Sequence, residues 1–134
     1  MVAWLRGCAY ECSDMGLTYV TVSLKRPGTT NGSYEAVFLV DTGASDTMAP
    51  ASELTRIGIE PAAKLTYELA DGTLQEYPFG IAQIEFMGEI TAGRVIFGPE
   101  GTEPILGVIA LQSVGIIVDP RTESLKRLPA IPLK

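Results

Sequence analysis

Asp41-Thr42-Gly43-Ala44-Ser45 is the stretch of this sequence best equipped for chemistry. It follows the unbroken apolar run Ala36-Val37-Phe38-Leu39-Val40, so a carboxylate is expected at the very end of a buried strand. Partial desolvation there is costly for a charged group, and a chain built for stability alone has little reason to accept it. Gly43 lets the backbone turn sharply and lets a second chain or ligand come close. Thr42 and Ser45 add hydroxyls that can donate or accept in a confined space. The sequence contains no His, which removes Ser-His and Cys-His nucleophile pairs and the commonest metal ligand. Catalysis, if present, falls to carboxylates, Lys, Tyr, Cys or hydroxyls. In unrelated proteins an Asp before Thr-Gly is often a turn residue that bonds its own backbone, and that plain role is the alternative here.

The elements that must position Asp41 are legible around it. Leu17 to Leu24 is rich in Thr, Val and Tyr and reads as a strand; Pro27 to Ser33 is dense in turn residues; Tyr34 to Val40 returns as the partner strand. Pro50 to Ile57 reads as a short helix stopped by Gly58. Leu65 to Leu69, the turn Ala70-Asp71-Gly72-Thr73 and the strand after Leu74 form a second hairpin with Asp-Gly at its tip. Ile81 to Phe86 alternates, with Ala82, Ile84 and Phe86 on one face, and Gly93 to Phe97 is a further strand. Ile105-Leu106-Gly107 leads into one or two helical turns over 108–114, then the strand Ile116-Ile117-Val118 and an extended tail, Ser124 to Leu133. Short strands at regular spacing with little helix predict an all-β, barrel-like domain with one short helix near the C-terminus.

The 134 residues suit one domain, 46% hydrophobic and 19% charged. A net charge of −6 argues against a nucleic-acid footprint, which needs a basic face. Residues 1–15 show no strand or helix period and are expected to form a flexible arm before a folded domain over 16–134. The two Cys, Cys8 and Cys12, both lie in that arm and are expected to be free thiols, since two Cys without His make neither a disulfide scaffold nor a good zinc site. No stretch approaches the ~18 apolar residues of a membrane span, and nothing before Cys8 is apolar enough for a signal segment. A cytoplasmic protein without membrane contact is the expectation.

Strand-Asp41-Thr42-Gly43-Ala44-Ser45, the mid-chain hairpin with a Gly tip, and Pro104 to Pro120 with Ile105-Leu106-Gly107 leading into a short helix resemble, in that order, the retropepsin-like aspartic proteases. This single-domain family includes the retroviral enzymes and bacterial and archaeal relatives, and the resemblance covers about residues 16–130. It implies a peptidase needing no metal or cofactor, in which two aspartates face each other and share one proton, because two like charges in contact cannot both ionise. The chain has a single Asp-Thr-Gly: Asp71-Gly72-Thr73 sits on a hairpin tip, and Asp119 is followed by Pro120. The resemblance therefore implies a homodimer in which Asp41 meets its symmetry mate, with Leu17 onward and 125–133 as candidate pairing segments. It further implies that Thr42 bonds across the two-fold, that Gly43 admits substrate backbone, that Ala44 and Ser45 bind substrate, and that Ile105-Leu106-Gly107 supports the loop. Residues 66–76 would be a flap, with Ala70, Asp71 and Gly72 closing over a bound peptide. Two departures from viral members stand out. Ser45 and then Asp46 replace the acidic residue that follows Asp-Thr-Gly-Ala, and the Gly-rich viral flap is missing. These leave open a non-catalytic, dimeric peptide-binding module on the same fold, or an enzyme acting chiefly on its own N-terminal arm. Ser45 and Asp46 are otherwise expected to be solvated loop residues, and Tyr67 and Tyr77 to be packing residues.

Overall fold

The computed structural model describes residues 11–14, 17–29, 32–119, 121–122 and 124–131. Most of the expected N-terminal arm, with Cys8, lies outside the described residues, as do Thr30 and Asn31 of the first turn, Pro120, and Leu133 of the tail. The strands are β1 (Glu11–Asp14), β2 (Leu17–Lys25), β3 (Tyr34–Asp41), β4 (Thr47–Pro50), β5 (Ala63–Glu68), β6 (Leu74–Phe86), β7 (Glu89–Gly98), β8 (Ile105–Gly107), β9 (Ile116–Asp119) and β10 (Ser124–Arg127). Two short helices interrupt them, α1 (Ala51–Arg56) and α2 (Val108–Ser113). The class is all-β, as the strand spacing predicts. Eight strands form one sheet in the order β1-β2-β3-β8-β4-β7-β6-β5, β2 also pairs with β6, and β9 and β10 form a separate two-stranded ribbon.

The 17–41 region is the expected hairpin, with β2 antiparallel to β3 from Thr18↔Val40 to Leu24↔Tyr34. Alternation on β2 buries Val20, Val22 and Leu24, and β3 adds Phe38 and Val40 to the same core. Burying a side chain as large as Phe38 is worth roughly 1.5–3 kcal/mol, and this contact anchors the strand that ends in Asp41. β3 is flanked by β2 on one side and β8 on the other, so both its backbone edges are paired, while Val37 and Leu39 on its second face are half-buried. Ala82, Ile84 and Phe86 are buried together as their alternation predicts.

Several elements differ from the sequence expectation. The strand after Leu74 and the Ile81 strand are one continuous thirteen-residue strand, β6. β7 begins at Glu89, earlier than expected, because a tight turn at Met87-Gly88, both at positive φ, joins it directly to β6. The tail's first residues are not simply extended but pair with β9. Strand β1 lies within a stretch that shows no strand period, and β4 is a four-residue element with no local signal. The expected Pro50 to Ile57 helix is present as α1, so there are two short helices among the described residues and not the single one near the C-terminus. α1 buries Leu54, and Glu100 receives the N–H and hydroxyl of Ser52 at 2.9 and 2.7 Å at its start. No helix among the described residues is long and apolar enough to cross a membrane.

Candidate active site

Asp41 is the last residue of β3 and half-buried, while Thr42 and Gly43 are exposed beyond it. The turn closes on itself: the N–H of Gly43 donates to Asp41 Oδ1 at 2.9 Å, and that of Ala44 to the Asp41 carbonyl at 3.1 Å. One carboxylate oxygen is thus oriented by backbone, which restricts the side-chain rotamer.

The loop is clamped from behind by β8. That strand runs parallel to β3 with Asp41 opposite Gly107, and its Ile105 bridges Met48 of β4. The N–H of Gly107 donates to the buried Thr47 Oγ1 at 3.1 Å. At the start of α2, the N–H groups of Val108 and Ile109 donate to the carbonyls of Ala44 and Ser45 at 2.9 and 3.2 Å. Gly107 is required by space: a Cβ there would stand 2.5–2.7 Å from backbone atoms of Ser45 and Asp46. Ile105-Leu106-Gly107 therefore lies directly under the loop, with Leu106 fully buried.

The β5–β6 hairpin spans the expected 66–76 region, paired from Ala63↔Phe79 to Glu68↔Leu74. Its tip is held by two backbone bonds, Leu69 N–H to the Thr73 carbonyl at 2.8 Å and Gly72 N–H to the Leu69 carbonyl at 2.9 Å. Gly72 has φ +87°, a left-handed conformation that favours glycine. The Asp71 carboxylate accepts from the Thr73 hydroxyl and N–H at 2.6 and 2.9 Å, and these bonds, the hydroxyl's first, hold its pKa below the usual carboxylate value.

Between loop and hairpin lies a groove of about 640 Å³, lined by Asp41, Gly43, Ala44 and Ser45 on one side and by 66–70 with Tyr77 on the other. Met48, Ile96 and Ile105 make its apolar floor. The structure thus brings together Asp41, Gly43, Ala44, Ser45 and Ala70; Thr42, Asp71 and Gly72 are exposed and do not line the groove. Among the described residues, no three His, Cys, Asp or Glu side chains converge as a metal site requires.

Asp46 departs from the expected solvated loop residue. It is buried, its Oδ2 accepting from the Tyr67 hydroxyl at 2.7 Å and standing 3.2 Å from Arg94 Nε. A buried carboxylate is tolerable only with such partners. Tyr67 does pack on Tyr77, ring centres 6.1 Å apart, as a diagonal cross-strand pair, but its hydroxyl also has this specific task. Burial first, then the bond to Asp46, pushes its pKa up to about 12. Arg94, which no sequence pattern singles out, also lies 5.6 Å from the Phe79 ring centre. Nothing local ties Asp46 to Arg94, which is 48 positions away; only the parallel pairing of β4 with β7 brings them together.

A family profile described as "gag-polyprotein putative aspartyl protease" matches residues 27–113, a span that contains the loop, the hairpin and β8. Among solved structures, the EIAV protease complexed with the inhibitor HBY-793 is similar at 20% identity and a TM-score of 0.52, over 72% of this chain and 86% of that one. The retroviral protease-like domain of Ddi1 from Leishmania major is similar at 16% identity and a TM-score of 0.48, over 82% of this chain and 88% of that one. A retropepsin-like aspartic protease from Rickettsia conorii is similar at 19% identity and a TM-score of 0.43, over 75% and 84%. The first likeness speaks to the fold, and the two with scores under 0.5 carry no argument. No curated protein matches the chain.

Proposed function

From the premise that the chain belongs to the gag-polyprotein aspartyl protease family, which is retropepsin-like, we propose that it is an aspartic endopeptidase active as a homodimer. The observation that carries this reading is the setting of Asp41. Its carboxylate ends a buried strand, is oriented by the Gly43 N–H, and opens onto a groove of the size that an extended peptide needs under a hairpin roof.

Within one chain the reaction lacks a second acid. Of the other carboxylates lining the groove, Asp46 is engaged by Tyr67 and Arg94, and Glu68 stands on the hairpin. Asp119 accepts the N–H of Arg121 at 2.9 Å as an ordinary turn residue. Asp41 of a second copy supplies the missing group, and the exposed Thr42 and Gly43 are then the residues at the two-fold. One carboxylate of the pair removes a proton from water as it attacks the scissile carbonyl. The other, protonated, donates to the carbonyl oxygen and later a proton passes to the leaving nitrogen. The peptide lies extended, bonded through its backbone to hairpin and loop in the manner of an added strand.

Replacing Asp41 by Asn tests this assignment. Cleavage of a denatured protein substrate at pH 5 is expected to fall by at least the roughly 10²–10⁴-fold that acid–base catalysis supplies, with an unchanged melting temperature. Equal cleavage by Asp41→Asn rules out the assignment. Saturable peptide binding by wild type with no cleavage at any pH would instead identify a peptide-binding module on the same fold.

A further inference from the structure

Three side chains from separate parts of the fold meet at the edge of the groove. Tyr67 comes from β5, Arg94 from β7, and Asp46 from the segment that leaves the Asp41 loop. The Asp46 side chain is 4% exposed, against 41% for Arg94. Arg94 and Tyr67 both reach the same carboxylate oxygen of Asp46, and Arg94 also lies 5.6 Å from the Phe79 ring centre. Of these two partners, Tyr67 is the one that belongs to the hairpin. Phenylalanine would fill the same space and keep the contact with Tyr77.

The hairpin has few other holds. β5 stands at the end of the sheet order and pairs with β6 alone, and Lys64, Thr66 and Glu68 are exposed along it. An edge strand with so little burial opens readily, so one charge-assisted hydrogen bond carries unusual weight in setting its position.

We propose that Tyr67 is a positioning residue whose bond to Asp46 latches the tip-side end of the β5–β6 hairpin to the Asp41 loop. Arg94 pairs with the same Asp46 oxygen, so that the hairpin and the loop are held at one separation before a peptide arrives. The inference rests on reading the groove as the peptide site. A preset separation lowers the ordering that binding would otherwise demand, and its loss weakens capture more than it slows bond cleavage.

Hydrogen exchange of the ligand-free protein, with peptide kinetics alongside, tests the latch through Tyr67→Phe. Exchange over residues 63–77 is expected to accelerate about ten-fold, with β7 and α1 unchanged, and KM to rise several-fold with kcat changed less than two-fold. Asp46→Asn, which retains an acceptor oxygen but gives up the charge, is expected to accelerate the same segment to a smaller extent. Unchanged exchange over 63–77 in Tyr67→Phe overturns the proposal, and so does an equal acceleration throughout the chain, which would make Tyr67 a core residue only. The exchange arm needs no substrate, so a wild-type protein that cleaves nothing counts against the peptidase reading and leaves the latch to be judged on exchange.

Discussion

Asp41 and Gly107, opposite each other on parallel strands, divide the work at the smallest scale: one is aimed by its neighbours and the other makes room for the loop that aims it. Because the atoms that a Cβ at 107 would meet are backbone, they cannot swing aside. Gly107→Ala is expected to destabilise the domain by about 1–3 kcal/mol, the usual range of overpacking, read as a lower denaturant midpoint at an unchanged slope. An unchanged midpoint would mean that the loop relaxes freely and is not held by β8. The placement of Asp41 and its glycine turn at the end of a buried strand was legible because a lone acid after five apolar residues violates the pattern of a buried strand. Asp46 was not legible. Its sequence neighbours give the alternatives of solvated loop or subsite contact, and what buries it is a cation and a phenol brought from β7 and β5 by tertiary pairing.

Among elements, the hairpin over the groove has a pH-dependent part at its tip. Asp71 holds its tip through the Thr73 hydroxyl and N–H, and its pKa is lowered on folding. A group with a depressed folded pKa contributes stability that is complete above its unfolded value, here the ordinary carboxylate value of 3.8, and is lost as pH falls through the lower folded value. The tip is therefore expected to stay intact through mildly acidic pH and to loosen only below about pH 3.8. The Thr73 amide resonance, followed from pH 6 to pH 2, should titrate in that acid range, and Asp71→Asn should abolish the transition. A Thr73 resonance that moves between pH 4 and 6 would contradict the assignment. This hairpin was readable from Asp71-Gly72, because its turn chemistry is local. β4 and the parallel β3–β8 pairing were not readable, since a four-residue strand has too few positions to show a period and parallel partners lie 60 or more residues apart.

At the scale of the whole molecule, the proposed function makes the single chain one half of a site. The single chain exposes Thr42 and Gly43 beside the groove, and also Ile109, whose N–H bonds the Ser45 carbonyl at the rear of the loop. Two copies at −6 each repel only weakly, because exposed charges more than about 8–10 Å apart are screened at physiological salt. Burial of apolar area at an obligate interface exceeds that cost. The fold class could be read from strand spacing and turn residues. The expectation of a partner came from counting a motif that occurs once.

The most direct test is the peptide-cleavage rate per chain at pH 5, followed across a dilution series with light scattering on the same samples. The rate per chain is expected to track the dimer fraction, falling in proportion to concentration once the complex of two 14.3 kDa chains dissociates, and to vanish for Asp41→Asn. A rate per chain that stays constant while scattering reports a single-chain mass would contradict the shared site, because one Asp41 would then suffice.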